Sequence, residues 1–387
     1  MSPIKSMHHA DIAIIGAGIV GLAHAYHAAK SGLKVVLFDR TPQAVGASVR
    51  NFGLVWPVGQ PAGPLYERAM RSRSTWLDII REAKLWNVPS GSLHLAYHAD
   101  EQAVLEEFIS TFPDEDNPDH RIVRWLTPAQ VTEKSQAVNM TGLHGAMWSR
   151  TEVNVDPREA IRRIPQWLAE TYAGTDGVTL RFGVAVNSIA LPTIETRDET
   201  WRVDRAVVCS GIDFETLYPE IYAASGITRV KLQMLRTVPQ PGKWALGPSL
   251  CAGLTLTHYD AFKRCTTLPA LAARIKAEMP EYVANGIHVL LSQTQLGELT
   301  IGDSHEYGLH VEPFDKEPIN GLIMRYLKTF AQVPTLEIAE RWHGVYAKLP
   351  GHSEFVTSPA PNVTIVNAPG GAGMTLSFGL AEELLAR

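Results

Sequence analysis

Cysteine is scarce in this chain of 387 residues: there are three, Cys209, Cys251 and Cys265, at spacings that make neither a disulfide framework nor a zinc motif. Plain thiols are expected, with Cys209 a small apolar core residue. The 14 histidines likewise show no metal-ligand spacing, so no metal centre is expected, and His8 and His9 are assigned no role. No apolar stretch reaches the ~18 residues of a membrane span, and residues 1–10 lack the hydrophobic segment of a secretory signal. The expectation is a cytoplasmic protein with no membrane partner. Runs of like charge are also missing, and a net charge of −5 gives no reason to expect nucleic acid or an anionic surface. A small molecule is the expected partner. No internal repeat or low-complexity tract is present; residues 114–119, acidic and proline-containing, read as an exposed loop.

What the chain does have is enough apolar residue, 45% of the total, for a large core and two or three domains. Its most informative stretch is Gly16-Ala17-Gly18-Ile19-Val20-Gly21. An apolar run at residues 12–15 predicts a buried strand before it, and residues 19–30 predict a helix after it. In that setting Gly16 permits the tight turn, Gly18 lets backbone approach a pyrophosphate, and Gly21 lets helix and strand pack closely. A diphosphate would then face the free N–H groups and positive end of the helix. A second strand, residues 34–38, ends in Asp39, placed to accept a ribose hydroxyl. An acid there argues against a 2′-phosphorylated ligand and leaves NAD and FAD.

Pieces of the same architecture return later. Residues 178–189 are strand-rich, and residues 205–208 form an apolar strand closing on Cys209-Ser210-Gly211. At the C-terminus a strand at 363–366 runs into Pro369-Gly370-Gly371-Ala372-Gly373-Met374 and a helix at about 375–385. Between these lie mixed segments with short strands, Pro-rich turns and a helix at 268–278. An amphipathic helix is expected at 66–86, with Met70, Trp76, Leu77, Ile80 and Leu85 on one face. The expected fold class is α/β: a discontinuous Rossmann-like domain (7–90, 149–229, 334–387) carrying an inserted α+β substrate domain (91–148, 230–333) with a mixed or antiparallel sheet.

A nicotinamide enzyme has no need of a second glycine-rich turn at its C-terminus, whereas a flavin enzyme can aim that helix end at the edge of its ring where charge appears on reduction. FAD is therefore the expected cofactor. At this point the chain resembles the FAD-dependent amine oxidoreductases of the D-amino acid oxidase, glycine oxidase and sarcosine oxidase type. The resemblance rests on Gly16 to Gly21 with Asp39-Arg40, on Gly46-Ala47-Ser48-Val49-Arg50-Asn51-Phe52-Gly53, on Cys209-Ser210-Gly211, and on Trp342-His343-Gly344 through Met374. With Gly302-Asp303-Ser304-His305, these segments look most like a branch associated with aminophosphonate breakdown.

The resemblance implies that Gly16, Gly18, Ile19, Val20, Gly21, Asp39, Arg40, Ser48, Asn51, Phe52, Gly53, Val186, Ser210, Gly211, Gly344, Gly371, Gly373 and Met374 contact the cofactor. Residues 344–348 contain no cysteine, so FAD is expected to be held non-covalently. Oxidising an amine requires an α-C–H held against the flavin, a neutral amine and an anchor for the substrate's other end. Arginine suits an anionic anchor, and Arg50 and Arg341 are the substrate-binding candidates, with Arg236 weaker. His258 could orient substrate, while Tyr346, His305 and Tyr259 are the catalytic candidates. Lys348 and Lys231 are options for assisting O₂.

The expected activity is oxidative deamination or N-dealkylation of a small zwitterionic, anionic-ended amine, 2-aminoethylphosphonate or its N-methyl derivative first. A glycine, sarcosine or D-amino acid oxidase is the alternative, and a flavin-binding electron carrier without amine turnover is the rival from another class. Electrons would pass to O₂ or another acceptor, in a monomer or homodimer.

Overall fold

The computed structural model describes residues 6–113, 121–174 and 177–386, so the stretch 114–119 lies outside the described residues. A six-stranded sheet runs in the order Val178–Phe182, Val35–Asp39, Ile12–Ile15, Arg205–Val208, Val363–Asn367, Phe355–Ala360, with only the last strand antiparallel. Ile12–Ile15 is buried throughout, as a strand covered on both faces must be. Helices Ile19–Lys30, Pro64–Ala83 and Gly373–Leu385 pack together on one face. The other face, carrying Ala13, Val36 and Phe38, meets Ile194 and Trp201 of a four-stranded sheet.

The strand at 12–15 and the helices at 19–30 and 268–278 fall where the sequence places them. The expected helix at 66–86 spans Pro64–Ala83, and its buried stripe is Ala69, Ser72, Trp76, Ile79, Ile80 and Ala83. Met70 and Leu77, expected on that face, are only half-buried. The physical reason is close helix packing. Gly379 of the closing helix donates its N–H to the Ser72 hydroxyl at 2.7 Å, and a Cβ on Gly379 would stand 2.6 Å from the Arg68 carbonyl oxygen. Small residues therefore displace larger ones from the contact.

A second, nine-stranded sheet is mostly antiparallel and holds the largest apolar cluster. Its core order is Glu306–Gly308, Thr228–Thr237, Leu299–Gly302, Leu290–Gln293, Ser249–Cys251, Ser92–Ala96, Gly145–Ser149, Val123–Leu126. Ile338–Lys348 also pairs with Thr228–Thr237, in a register from Lys348 opposite Thr228 to Ile338 opposite Thr237. Sequence continuity had grouped this strand with the nucleotide-binding part. Its hydrogen bonds belong to the other sheet, and its side chains form the seam between the two.

Candidate functional site

The first half of the site is built from backbone. Gly16 has φ +105°, and a Cβ there would lie 2.3 Å from the Cys209 carbonyl oxygen, so no side chain fits between the two parallel strands. A Cβ on Gly21 would lie 1.8 Å from the Gly16 carbonyl oxygen. Gly18 leaves room for Ser48, whose hydroxyl accepts the Ile19 N–H at 2.9 Å. Ser48 thereby brings the 47–53 loop to the N-terminus of the helix, where an anion is favoured by free N–H groups and the helix dipole. Val20 is half-buried in that first turn.

Asp39 ends its strand beside this turn. Its Oδ2 accepts the Ala17 N–H at 2.9 Å and its Oδ1 accepts from Thr41, so it braces the turn while keeping lone pairs for a ribose. Arg40 is paired at 2.7 Å with Asp213, on the segment following Gly211. Val186 is buried near the strand ends. The Ser210 hydroxyl lies 2.9 Å from that of Tyr222, and Asn367 donates to the Gly211 carbonyl at 2.8 Å. Asn367 and Tyr222 were not singled out from sequence; their place at the end of a strand and under a loop only becomes visible once 363–367 pairs beside 205–208. Asn51 braces the 47–53 loop: its amide donates to the Ala47 and Ser48 carbonyls and its oxygen accepts the Gly53 N–H. All of these bonds lie within its own loop, which it holds in shape. Gly53, at φ +73°, presses that loop onto the Val155 carbonyl.

The second half is a wall of side chains on the large sheet. Phe52, Trp342 and Tyr346 pack on Val230, Leu232 and Met234. Trp342 donates its indole N–H to the Arg50 carbonyl at 3.3 Å, Arg50 donates to the His343 carbonyl at 3.3 Å, and a Cβ on Gly344 would stand 3.2 Å from the Arg50 carbonyl. The same strand sets the Tyr346 hydroxyl 3.5 Å from where Gly371 would carry a Cβ, at the start of the turn leading into Gly373, Met374 and the closing helix. Met374 is buried, its carbonyl accepting the Trp76 indole N–H at 2.7 Å. Burial, then the charge of Asp303, pushes the Tyr346 phenol well above its ordinary range, so it stays protonated and a donor.

Beyond Tyr346 lie Tyr259, His258 and His305, together with His288, which the sequence reading missed, and Asp303, which it quoted within Gly302-Asp303-Ser304-His305 without giving it a role. Tyr259 stacks on Trp56 and meets His288 edge-on, with ring centroids 6.2 and 5.7 Å away. Burial raises its phenol well above the ordinary value, and burial holds the His258 and His305 imidazoles below theirs. The register of the 290–302 hairpin, continued, would set His288 opposite Ser304; a one-residue shift at Asp303 joins it to His288 instead, so the pair cannot be read from the strand pattern.

Of the cationic candidates, Arg50 and Arg341 line one cavity of about 570 Å³ together with Arg158, Arg162 and Trp342. Arg341 is 3.3 Å from Glu317, and Arg158 pairs with Glu340. Arg50 and Arg162 have no carboxylate partner among the described residues. Arg236 does not reach this cavity: it is 1% exposed, within 4 Å of Glu298 and Glu340 and stacked over Trp342. Lys231 is excluded as a free amine, being buried and bound to the Glu312 carbonyl and to Asp315. Lys348 lies over the Tyr307 ring instead.

These residues fit FAD. The glycine cradle and the open helix end would accept a diphosphate and Asp39 a ribose, and the seam between Tyr346 and Gly371 lies where the two sheets meet. All three cysteines are buried thiols, and none is in the Gly344–Lys348 segment.

Known proteins agree with this geometry. The chain is 22% identical over 350 residues to glycine oxidase of Geobacillus kaustophilus, covering 87% of this chain and 81% of that protein. Its fold matches L-proline dehydrogenase from P. horikoshii with a TM-score of 0.75 at 18% identity, over 98% of this chain and 92% of the other. It also matches L-α-glycerophosphate oxidase from Mycoplasma pneumoniae, a structure with FAD bound, with a TM-score of 0.70 at 17% identity over 98% and 96%. No described helix is long and apolar enough to cross a membrane. Residues 11–387 match the model of the FAD-dependent oxidoreductase family that includes D-amino acid oxidase, and the chain belongs to that family.

Proposed function

We propose that this enzyme oxidises a small amine carrying an anionic group at its other end, with 2-aminoethylphosphonate or its N-methyl derivative as the preferred class. The observation that carries the reading is the cavity shared by Arg50, Arg158, Arg162 and Arg341, in which Arg50 and Arg162 lack carboxylate partners among the described residues. A dianionic phosphonate takes more donors than a carboxylate, and guanidinium forks match its oxygens with charge-assisted hydrogen bonds. Bound FAD supplies the two-electron acceptor for the amine's α-carbon.

The chain's own residues do the rest. Phe52, Trp342 and Tyr346 form an apolar wall that excludes water and favours the neutral amine. Tyr346 offers a hydroxyl that keeps its proton, suited to orienting the amine nitrogen. The imine product hydrolyses to an aldehyde, releasing ammonia or methylamine, and electrons leave to O₂ or another acceptor.

A second reading is supported by the glycine oxidase relative: a glycine, sarcosine or D-amino acid substrate, whose single carboxylate would occupy the same arginines. Anaerobic mixing of the flavoprotein with each amine, following bleaching of the flavin absorbance, separates them. Faster bleaching by the aminophosphonates is expected. Faster bleaching by glycine, sarcosine or a D-amino acid would replace the first reading with the second, and no bleaching by any amine between about pH 7 and 10 would leave the electron carrier.

A further inference from the structure

The imidazoles of His258, His288 and His305 place a possible ligand atom each within 4.8 Å of one another. Sequence spacing gives no hint of this, because the three come from separate segments: the turn after Gly253–Leu256, the lead-in to Leu290–Gln293, and the exit from Leu299–Gly302. The framework is pinned by backbone. His288 and Asp303 exchange both main-chain hydrogen bonds, at 3.2 and 2.7 Å, and the His305 N–H donates to the Asn285 carbonyl at 2.9 Å.

A second observation sits inside the cluster. The Asp303 side chain is 6% exposed, with Oδ1 only 3.1 Å from His288 Nε2 and 3.9 Å from His305 Nδ1. Yet Asp303 Oδ1 and His288 Nδ1 are buried without a hydrogen-bond partner among the described residues. A buried carboxylate oxygen left this way is unfavourable unless a cation reaches it. The His305 ring is already oriented, since its Nδ1 lies 2.9 Å from the Gly286 carbonyl and donates to it, leaving Nε2 with a free lone pair. Imidazoles held through their other nitrogen are the usual arrangement around a bound metal.

We propose that His258, His288, His305 and Asp303 bind one divalent first-row transition ion, of the Zn²⁺ or Co²⁺ kind, in the substrate domain. Three nitrogens and one carboxylate oxygen make a complete tetrahedral set for such an ion. Bonds of about 2.0–2.1 Å imply ligand-to-ligand edges of about 3.3 Å, so the 3.1 Å Asp303–His288 edge already fits, and the three imidazoles, whose ligand atoms lie within 4.8 Å of one another, would close around the ion beside it. His258 makes the largest move. Its ring is stacked on His288 with centroids 3.8 Å apart and planes 23° from parallel, and two parallel rings cannot aim in-plane lone pairs at one point. It is also the half-buried member of the three, with no hydrogen bond to its ring among the described residues. The site is independent of the amine reading, and its ion would close the loops that back Tyr259.

The test uses the FAD-loaded full chain carrying His8→Ala and His9→Ala, which removes the adjacent histidines of the first strand, half-buried and exposed, as competing ligands. After chelator treatment it is titrated with Co²⁺, followed by visible absorption, and with Zn²⁺, followed by calorimetry. One equivalent binding at micromolar concentration or tighter, with a tetrahedral Co²⁺ spectrum and a raised Tm, is expected. His288→Gln and Asp303→Asn should each weaken binding by roughly 10–100-fold. X-ray absorption of the Zn²⁺-loaded parent protein, which needs no variant to fold, should give a shell of three imidazoles and one oxygen. Absence of saturable binding, a shell with fewer than three imidazoles, or binding indifferent to both substitutions overturns the proposal.

Discussion

The crevice at the end of the parallel sheet and the wall on the antiparallel sheet solve the same problem, holding a ligand, with opposite materials. The crevice is made of main chain. Gly16, Gly18 and Gly21 keep side chains out, and the helix end is left to do the binding we expect of it. The wall is made of side chains, Phe52, Trp342, Tyr346 and the arginines beside them, carried by strands whose backbones only pair with one another. A backbone site tolerates almost no change in shape but is indifferent to which side chains surround it. The side-chain wall can alter its specificity one residue at a time.

The sharpest way to break this comparison is to put a side chain where the crevice forbids one. Gly21→Val should leave the protein colourless, with FAD affinity reduced by at least about 100-fold, or about 2.7 kcal/mol; flavin absorbance per mole of purified protein measures it. A yellow variant would mean that the crevice is less rigid than its contacts imply.

Acid should strain both regions together. The parallel-sheet region holds His24, lowered from 6.5 to about 4, in the first helix, and the large sheet holds His94, lowered to about 3, both chiefly by burial. Because the unfolded chain takes up protons that the folded chain refuses, their contribution to stability is complete above pH ~6.5 and is lost as pH falls toward 4 and then 3. The full loss is about 3 kcal/mol for His24 and about 5 kcal/mol for His94. Denaturant midpoints between pH 7 and 4 should fall steadily, and His24→Leu should flatten part of that slope. A flat profile in the parent protein contradicts the burial.

In the wall, Arg50→Ala should raise KM for an aminophosphonate about 10–100-fold, the worth of a charge-assisted pair at ~1.4–2.7 kcal/mol, while FAD retention stays unchanged. Steady-state kinetics with matched phosphonate and carboxylate amines read it, and an equal penalty for both would remove the phosphonate preference. The smallest effect belongs to Tyr346→Phe, which keeps the ring and removes one hydroxyl. It should lower kcat by roughly 10-fold, the value of one hydrogen bond, with the flavin still bound. Loss of flavin instead would move Tyr346 from the wall into the crevice.

The same contrast explains what could be read from the sequence. The strand at Ile12–Ile15, the glycine turn and the helix Ile19–Lys30 are consecutive, so local pattern alone specifies them. Ile338–Lys348 could not be allotted to its sheet that way, because its partner Thr228–Thr237 lies far back in the chain and only register joins them. Met70 and Leu77 were expected in a buried stripe that packing gives to Ala69 and Ser72, since hydrophobicity does not record how closely another helix approaches. His288 escaped notice, and Asp303 was quoted without a role, because the one-residue shift that joins them is not written in the strand pattern. Arg236 and Lys231 carry the same charge as Arg50, and what separates them is a carboxylate that sequence does not locate.

The order of the parallel sheet places Arg205–Val208 between Ile12–Ile15 and Val363–Asn367, so the crevice is closed by chain made long after its glycine turn. Until Gly373–Leu385 has been synthesised, the faces of Ile19–Lys30 and Pro64–Ala83 that it covers stay open, and the nascent protein is exposed to misassociation over that span of translation. Cofactor capture is then expected only after that helix has docked, and chains truncated before Gly373 should be insoluble rather than apoprotein.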